Sequence, residues 1–193
     1  MGNMYEKIIE VLEENGPIPI STIYEKMVSS TNISADNNKE IQLSSVKSVI
    51  SRKKDLFSVH NNIVSIHPEK EISQITLDVK KGNHFYRLKV DFLFEIYHIQ
   101  SWTLFSDNQG FTPKNVLFPY FSYSDLKKDL YKLKIWDWES DEGAYGRESL
   151  YTIQLKTTNK SYVYSFIDIK AKEWKQMTKT LSKYMDLSNI FLD

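Results

Sequence analysis

The stretch LSSVKSVISRKKDLF, residues 43–57, concentrates side chains that could bind an anion. It holds four cations and no acid before Asp55, and its apolar residues recur at helical spacing. This pattern predicts an amphipathic helix with a basic solvent-facing side. Lysines on such a helix suit DNA phosphates, and an arginine can hold guanine through two parallel hydrogen bonds. A basic run near a helix C-terminus also complements the helix dipole, so an ordinary solvated helix is the alternative.

The predicted interface depends on which side of this helix faces the core. If the apolar residues face the core, small hydroxyls and cations face outward, where serines allow close approach and can bond phosphates or base edges. The predicted nucleic-acid-binding residues are Ser44, Ser45, Lys47, Ser48, Ser51, Arg52, Lys53 and Lys54, with Asn61 and Asn62 at the tip of a following hairpin. Turn chemistry alone also accounts for the two asparagines.

A second pattern, in residues 137–156, would suit a metal-dependent nuclease. Carboxylates would hold a divalent ion, and a lysine would support charge in the transition state. The residues concerned are Asp137, Glu139, Asp141, Glu142 and Glu148, followed by Gln154 and Lys156. This spacing is common by chance and equally describes an acidic loop leading into a half-buried strand. We therefore predict no enzymatic activity.

Composition limits the remaining classes of function. The 193 residues carry 25 basic and 25 acidic side chains, so a nucleic-acid site must be a local patch. Residues 1–68 hold seven basic and eight acidic side chains. There is no cysteine, and the four histidines are dispersed, so no cofactor and no metal is expected. No apolar run approaches the roughly 20 residues of a membrane helix, and we expect a cytoplasmic protein without membrane contact.

Apolar residues in the first third of the chain recur mostly at helical spacing. Helices are predicted on Tyr5 to Leu12, ended by Gly16, and on residues 21–27, capped by Ser21, with an extended PIPI stretch between them. Residues 29–42 predict a polar loop. The third helix is predicted to be capped by Ser44 or Ser45 and to bury Leu43, Val46, Val49 and Ile50. Two short strands then flank Asn61-Asn62, which favours a two-residue hairpin turn.

The predicted order of helix, strand, helix, helix and hairpin is that of a winged helix-turn-helix. The sequences MYEKIIEVLEENGPIPISTIYEKM and IQLSSVKSVISRKKDLFSVHNNIVSI also resemble the N-terminal winged helix of the RNA polymerase delta subunit and the related HARE-HTH family. The resemblance covers residues 1–67. It implies a winged helix, and it permits either DNA or a protein such as RNA polymerase as the partner.

Residues 72–193 predict an aromatic-rich, mainly antiparallel sheet with packed helices. Hairpins are expected about Gly82-Asn83 and residues 157–160, with strands on 133–139, 149–156 and 161–168. Trp136 and Trp138 would share one strand face. Residues 96–107 are ambiguous between strand and helix. A short helix capped by Ser122 or Ser124 and a closing amphipathic helix complete an α+β fold. Trp174, Met177, Leu181, Tyr184 and Met185 are expected on one face of the closing helix.

The sequence therefore predicts two domains, 1–67 and 72–193, in a DNA-binding protein. We expect a bacterial-type transcriptional regulator or the recognition component of a DNA-handling system that binds duplex DNA. The second domain would sense a ligand, bind a partner or form a homodimer, which would suit paired half-sites. The alternatives are a protein-binding winged helix associated with RNA polymerase and the metal-dependent nuclease.

Overall fold

The chain divides into two compact units, Met1–Glu71 and Ile72–Asp193. The computed structural model describes residues 3–31, 41–103, 121–143 and 149–187. These residues form five α-helices and two antiparallel sheets, so the predicted α+β class is confirmed. Within the described part of the chain, no helix is both long enough and apolar enough to cross a membrane.

The first unit packs three helices with a small antiparallel sheet of strand order β1-β3-β2. Its elements are α1 (Met4–Asn15), β1 (Ile18–Pro19), α2 (Ile20–Thr31), α3 (Leu43–Arg52), β2 (Phe57–His60) and β3 (Ile63–Ile66). Ile8, Ile9 and Leu12 of α1 are buried, as their spacing predicts. Gly16 ends that helix at a φ of 68°, and its N–H bonds the Leu12 carbonyl at 2.8 Å. The predicted end of α1 is confirmed.

The predicted N-terminal caps of α2 and α3 are wrong by two or three residues. β1 passes directly into α2 without an intervening capping serine. The N–H of Ile20, the first residue of α2, donates to the Asn62 carbonyl at 3.2 Å. Ser21 therefore lies inside the helix. α3 begins at Leu43, and the backbone carbonyl of Gln42 accepts the first helical hydrogen bonds, so Ser44 and Ser45 are not caps. Most of the predicted loop 29–42 lies outside the described residues, and its first residues extend α2 to Thr31.

The second unit is built on a five-stranded antiparallel sheet of order β6-β5-β4-β7-β8. Its elements are β4 (Ile72–Lys81), β5 (His84–Asp91), β6 (Ile96–Thr103), α4 (Tyr123–Leu133), β7 (Ser149–Thr157), β8 (Ser161–Phe166) and α5 (Lys172–Leu181). Both predicted hairpins are confirmed, with a two-residue turn at 82–83 and a three-residue turn at 158–160. Ser122 caps α4 by accepting the Asp125 N–H. The ambiguous stretch is a strand from 96 to 103, and the rest of it lies outside the described residues.

One face of this sheet is the core of the second unit. Ile75, Leu77 and Val79 of β4 lie opposite Leu155, Ile153 and Tyr151 of β7, and all six are buried. α5 covers this face, with the Tyr151 and Trp174 rings 5.1 Å apart. Trp174, Met177 and Leu181 are fully buried, which confirms this part of the predicted apolar side of the closing helix. The helix ends at Leu181, so the placement of Tyr184 and Met185 on the same helix face is wrong, although Met185 is buried in the turn that follows.

The predicted strand at residues 133–139 is wrong. α4 ends at Lys134, which takes a left-handed conformation with φ 49°, and a single 3-10 turn follows at Ile135–Asp137. The N–H groups of Asp137 and Trp138 bond carbonyls three residues back, so neither can join a sheet ladder. Trp136 and Trp138 consequently share no strand face. The Trp136 ring packs against the Tyr131 ring, and the Trp138 ring packs against the Tyr164 ring, with a distance of 6.1 Å between ring centroids in each pair.

A carboxylate ties α4 to the segment that follows α5. Asp129 accepts hydrogen bonds from Lys132 at 2.7 Å, Lys183 at 2.9 Å and the Tyr184 hydroxyl at 3.0 Å. Burial by itself would raise the pKa of Asp129, but these three donors outweigh burial and lower the pKa to about 2. The side chain is only 14% exposed, so solvent screens these contacts weakly.

We predict that Asp129→Asn lowers the free energy of unfolding of the second unit by about 2 kcal/mol at pH 7. The folded pKa lies below the ordinary value of 3.8, so this stabilisation is complete above about pH 4 and is lost as pH falls through 2. All four tryptophans lie in residues 72–193, so urea unfolding followed by tryptophan emission reports this unit. Asp125→Asn is the control, because Asp125 is 58% exposed and its ion pair is worth less than about 1 kcal/mol. Equal losses for the two variants would contradict the assignment.

Candidate nucleic-acid interface

The rotation of α3 is fixed by two buried residues. Val46 and Ile50 are 0% and 3% exposed, and Leu43 and Val49 are half-buried beside them. At about 3.6 residues per turn, the side opposite this anchor is occupied by Ser44, Ser48 and Ser51. All three are exposed. We call these residues the serine strip.

Cations stand on both edges of the serine strip. Lys47 and, just beyond the helix, Lys54 lie on one edge, and Arg52 lies on the other. The Arg52 Nε donates to the Ser48 carbonyl at 3.3 Å, which holds the guanidinium alongside the helix. α3 itself contains no acid. The outward side of α3 is therefore small and hydroxylic along its middle and positive along both margins.

Two of the predicted residues lie away from this outward side. Lys53 is half-buried, and its ammonium lies 5.6 Å from the centroid of the Tyr5 ring in α1. This geometry is a cation–π contact, and it gives Lys53 a role in joining α3 to α1. Ser45 is half-buried on the flank of the helix that faces Asn3 and Met4.

Lys47, Ser51 and Lys54 also border a cleft of about 430 Å³. Its apolar lining includes Ile20, Phe57 and Val59. We call this the basic-rimmed cleft. The Val59 side chain, on β2, is 49% exposed. The sequence did not point to Val59 as a site residue, because Phe57 and Val59 alternate as buried residues do in a strand of the core. Val59 nevertheless remains exposed, although its strand partner Val64 is fully buried.

The hairpin tip is confirmed as a two-residue turn. Asn61 and Asn62 have φ values of 50° and 64°, in the left-handed region that asparagine tolerates. Both are exposed, and the Asn61 amide lies 3.3 Å from the His60 ring. The Asn62 carbonyl accepts the Ile20 N–H, so this turn is joined to the start of α2.

The described residues of the nuclease pattern form no metal-binding cluster. The Asp141 carboxylate accepts the Ile167 N–H at 3.0 Å, and the Asp141 N–H bonds the Ser165 carbonyl, so this acid braces the outer edge of β8. Gln154 and Lys156 lie on the face of β7 opposite the core, and Glu148 lies outside the described residues. Among the residues that the structure describes, no group of three or more acids and histidines could hold a metal ion.

Besides Asp129, several packed tyrosines of the second unit have shifted pKa values. Burial, reinforced by Tyr123, raises the pKa of Tyr97 to about 12. Burial also raises the pKa of Tyr164 to about 12, with contributions from Tyr162 and Asp137. Both phenols remain protonated at neutral pH, so neither supplies a general base there.

No protein-family model matches this chain, and no curated protein or solved structure matches it either.

We predict that Asn62→Val lowers the free energy of unfolding of the first unit by about 1–2 kcal/mol, because a β-branched residue is strained at positive φ. Asn62→Gly should change it by less than about 0.5 kcal/mol, since glycine adopts this conformation without strain. The loss of helical circular dichroism with temperature measures the effect, and tryptophan emission checks that the second unit is unchanged. Equal destabilisation by valine and glycine would show that the side chain of Asn62, rather than its backbone conformation, matters.

Proposed function

We propose that the first unit is a winged helix that binds duplex DNA, with α3 entering the major groove. The order α1-β1-α2-α3-β2-β3 and the small antiparallel sheet support this proposal. The observation that carries it is the serine strip with a cation on each edge. An ordinary solvated helix has no need to separate its small residues from its positive ones in this way.

The outward side of α3 fits the dimensions of a groove. The major groove is about 12 Å wide and admits a helix, and small side chains let the helix backbone approach the base edges. Lys47 and Lys54 would contact phosphates on one side of the groove. Arg52 would reach phosphates or guanine on the other side after releasing the Ser48 carbonyl. The serine hydroxyls would serve either as base contacts or as phosphate contacts.

The hairpin supplies a second contact in this arrangement. Asn61 and Asn62 stand at its exposed tip with amide groups that can donate to phosphate oxygens. The bond from the Ile20 N–H to the Asn62 carbonyl fixes the turn relative to α2. The tip is therefore positioned by the same unit that positions α3.

The role that fits this binding is that of a bacterial-type transcriptional regulator, or of the recognition component of a larger DNA-handling system in the cytoplasm. The resemblance to the HARE-HTH family and to the RNA polymerase delta subunit supports the winged helix. The second unit would then sense a ligand, bind a protein partner or form a homodimer.

A second candidate function is binding to a protein, with RNA polymerase as the example that the resemblance suggests. The observation in its favour is that Val59 and Ile63 are 49% and 45% exposed on the hairpin. Apolar side chains at such positions suit a protein surface better than a phosphate backbone. Co-purification with polymerase and no binding to duplex would support this candidate.

We predict that Lys47→Glu/Arg52→Glu abolishes most binding to a fluorescently labelled random-sequence duplex. Anisotropy titrations of the wild type at several salt concentrations should give a linear fall of log affinity with log salt. Each phosphate contact contributes a slope of about −0.9, so losing two cations should flatten the slope by about 2.

The matched control is Lys7→Glu/Lys26→Glu, which makes the same change in net charge elsewhere in the first unit. Lys7 and Lys26 border a surface that also holds Glu10 and Glu14. The control should keep nearly all of the affinity and the slope. If both variants weaken binding equally, α3 is not the interface. If the wild type does not bind at low salt, the DNA-binding proposal fails.

A further inference from the structure

The turn between β5 and β6 displays two large apolar side chains to solvent. Leu93 is 77% exposed and Phe94 is 69% exposed, and both exceed every other exposed large hydrophobic among the described residues. We call residues 92–95 the β5–β6 tip. Single exposed hydrophobics are common on protein surfaces, but an adjacent protruding pair is a more specific feature.

Hydrogen bonds hold this tip in one conformation. The Asp91 carboxylate accepts the N–H groups of Leu93 at 3.0 Å and Phe94 at 3.2 Å. The Phe92 N–H bonds the Ser73 carbonyl, and the Phe92 ring meets Tyr123 edge-on at 6.5 Å. Phe92 therefore anchors the turn, while its two neighbours are held outward. A preformed apolar protrusion loses little conformational entropy when it binds.

The charges around the tip indicate what it can bind. Asp91 and Glu95 flank the apolar pair, and no cation occurs from residue 91 to residue 97. Acids at these positions repel phosphate groups, which disfavours nucleic acid and anionic lipid. The chemistry that fits is an apolar pocket with a positive rim on a protein.

The first unit of the same chain offers such a pocket. In the basic-rimmed cleft, Lys47 and Lys54 stand at the margin of an apolar lining that includes Val59. Its volume of about 430 Å³ exceeds that of a leucine and a phenylalanine side chain together. The chain has a formal net charge of zero, so long-range repulsion between copies is absent.

From this complementarity of shape, polarity and charge, we propose that the β5–β6 tip of one copy inserts into the basic-rimmed cleft of a second copy. Leu93 and Phe94 contact the apolar lining, and Asp91 and Glu95 lie toward Lys47 and Lys54. The inference does not rest on DNA binding, because the tip and the cleft are present whatever the first unit recognises.

The test is sedimentation equilibrium of the full chain over a range of concentrations, without DNA. The tip variant is Leu93→Ser/Phe94→Ser, and the cleft variant is Lys54→Glu/Val59→Asp. All four residues are exposed, so both variants should fold. Each variant alone should associate at least about tenfold more weakly than the wild type, since both remove the centre of the contact. A mixture of the two should form a 1:1 complex, because the cleft variant keeps its tip and the tip variant keeps its cleft.

The matched control is Val163→Ser/Ile167→Ser, which removes two other exposed apolar side chains, 50% and 40% exposed. It should associate like the wild type. Three results would overturn the proposal: a wild type that stays a single chain at every concentration, association that neither variant weakens, or a mixture that stays unassociated. Because no DNA is present, none of these results bears on whether the first unit binds a duplex.

Discussion

The burial of Val46 and Ile50 decides what α3 presents to solvent. Each fully buried aliphatic side chain contributes about 1.5–3 kcal/mol, so this pair anchors the helix against rotation. A shift of one residue would turn the helix by about 100° and bring Lys47 toward the core, where an unpaired ammonium is costly. This orientation of α3 about its axis places the serine strip and the cations on its edges in solvent. It also places Lys47 at the border of the basic-rimmed cleft.

The two proposed interactions share residues and therefore exclude each other at one site. Lys47 and Lys54 lie on an edge of the outward side of α3 and also on the rim of the cleft. A second copy that fills the cleft would cover the cations that a duplex needs. Duplex DNA at α3 would likewise bring phosphates to the place where Asp91 and Glu95 of another copy would lie. The association of copies would thus compete with the binding of DNA, because both need Lys47 and Lys54. The oligomeric state would in this way control how much of the protein can bind a duplex.

Periodicity predicted most of the fold, and it failed where local hydrogen bonds override it. The alternation on β4, β5, β7 and β8 and the helical spacing of Ile8, Ile9 and Leu12 depend on burial, which sequence patterns report directly. The start of α3 depends on the extended backbone of Gln42, and the 3-10 turn after α4 depends on Lys134 at positive φ. The exposure of Ser44, Lys47, Ser48, Ser51 and Arg52 was predictable from the same periodicity, whereas Ser45, which was predicted to face outward, is half-buried. The contact of Lys53 with Tyr5 and the exposure of Val59 were not predictable, because both depend on how separate elements pack.

The charge distribution limits how strongly a single copy can hold DNA. With seven basic and eight acidic side chains in residues 1–68, no long-range field draws this unit to a duplex, so contact must come from α3 itself. Lys53 is engaged by Tyr5, which leaves Lys47, Arg52 and Lys54 on the outward side. Three phosphate contacts correspond to a salt slope of only about −3, far shallower than that of a repressor with about ten contacts. Strong binding therefore requires a second source of affinity: the hairpin tip, base contacts from the serine strip, or a further DNA-binding subunit. Base contacts from the serines would add sequence preference without adding to the salt slope, because they release no counterions.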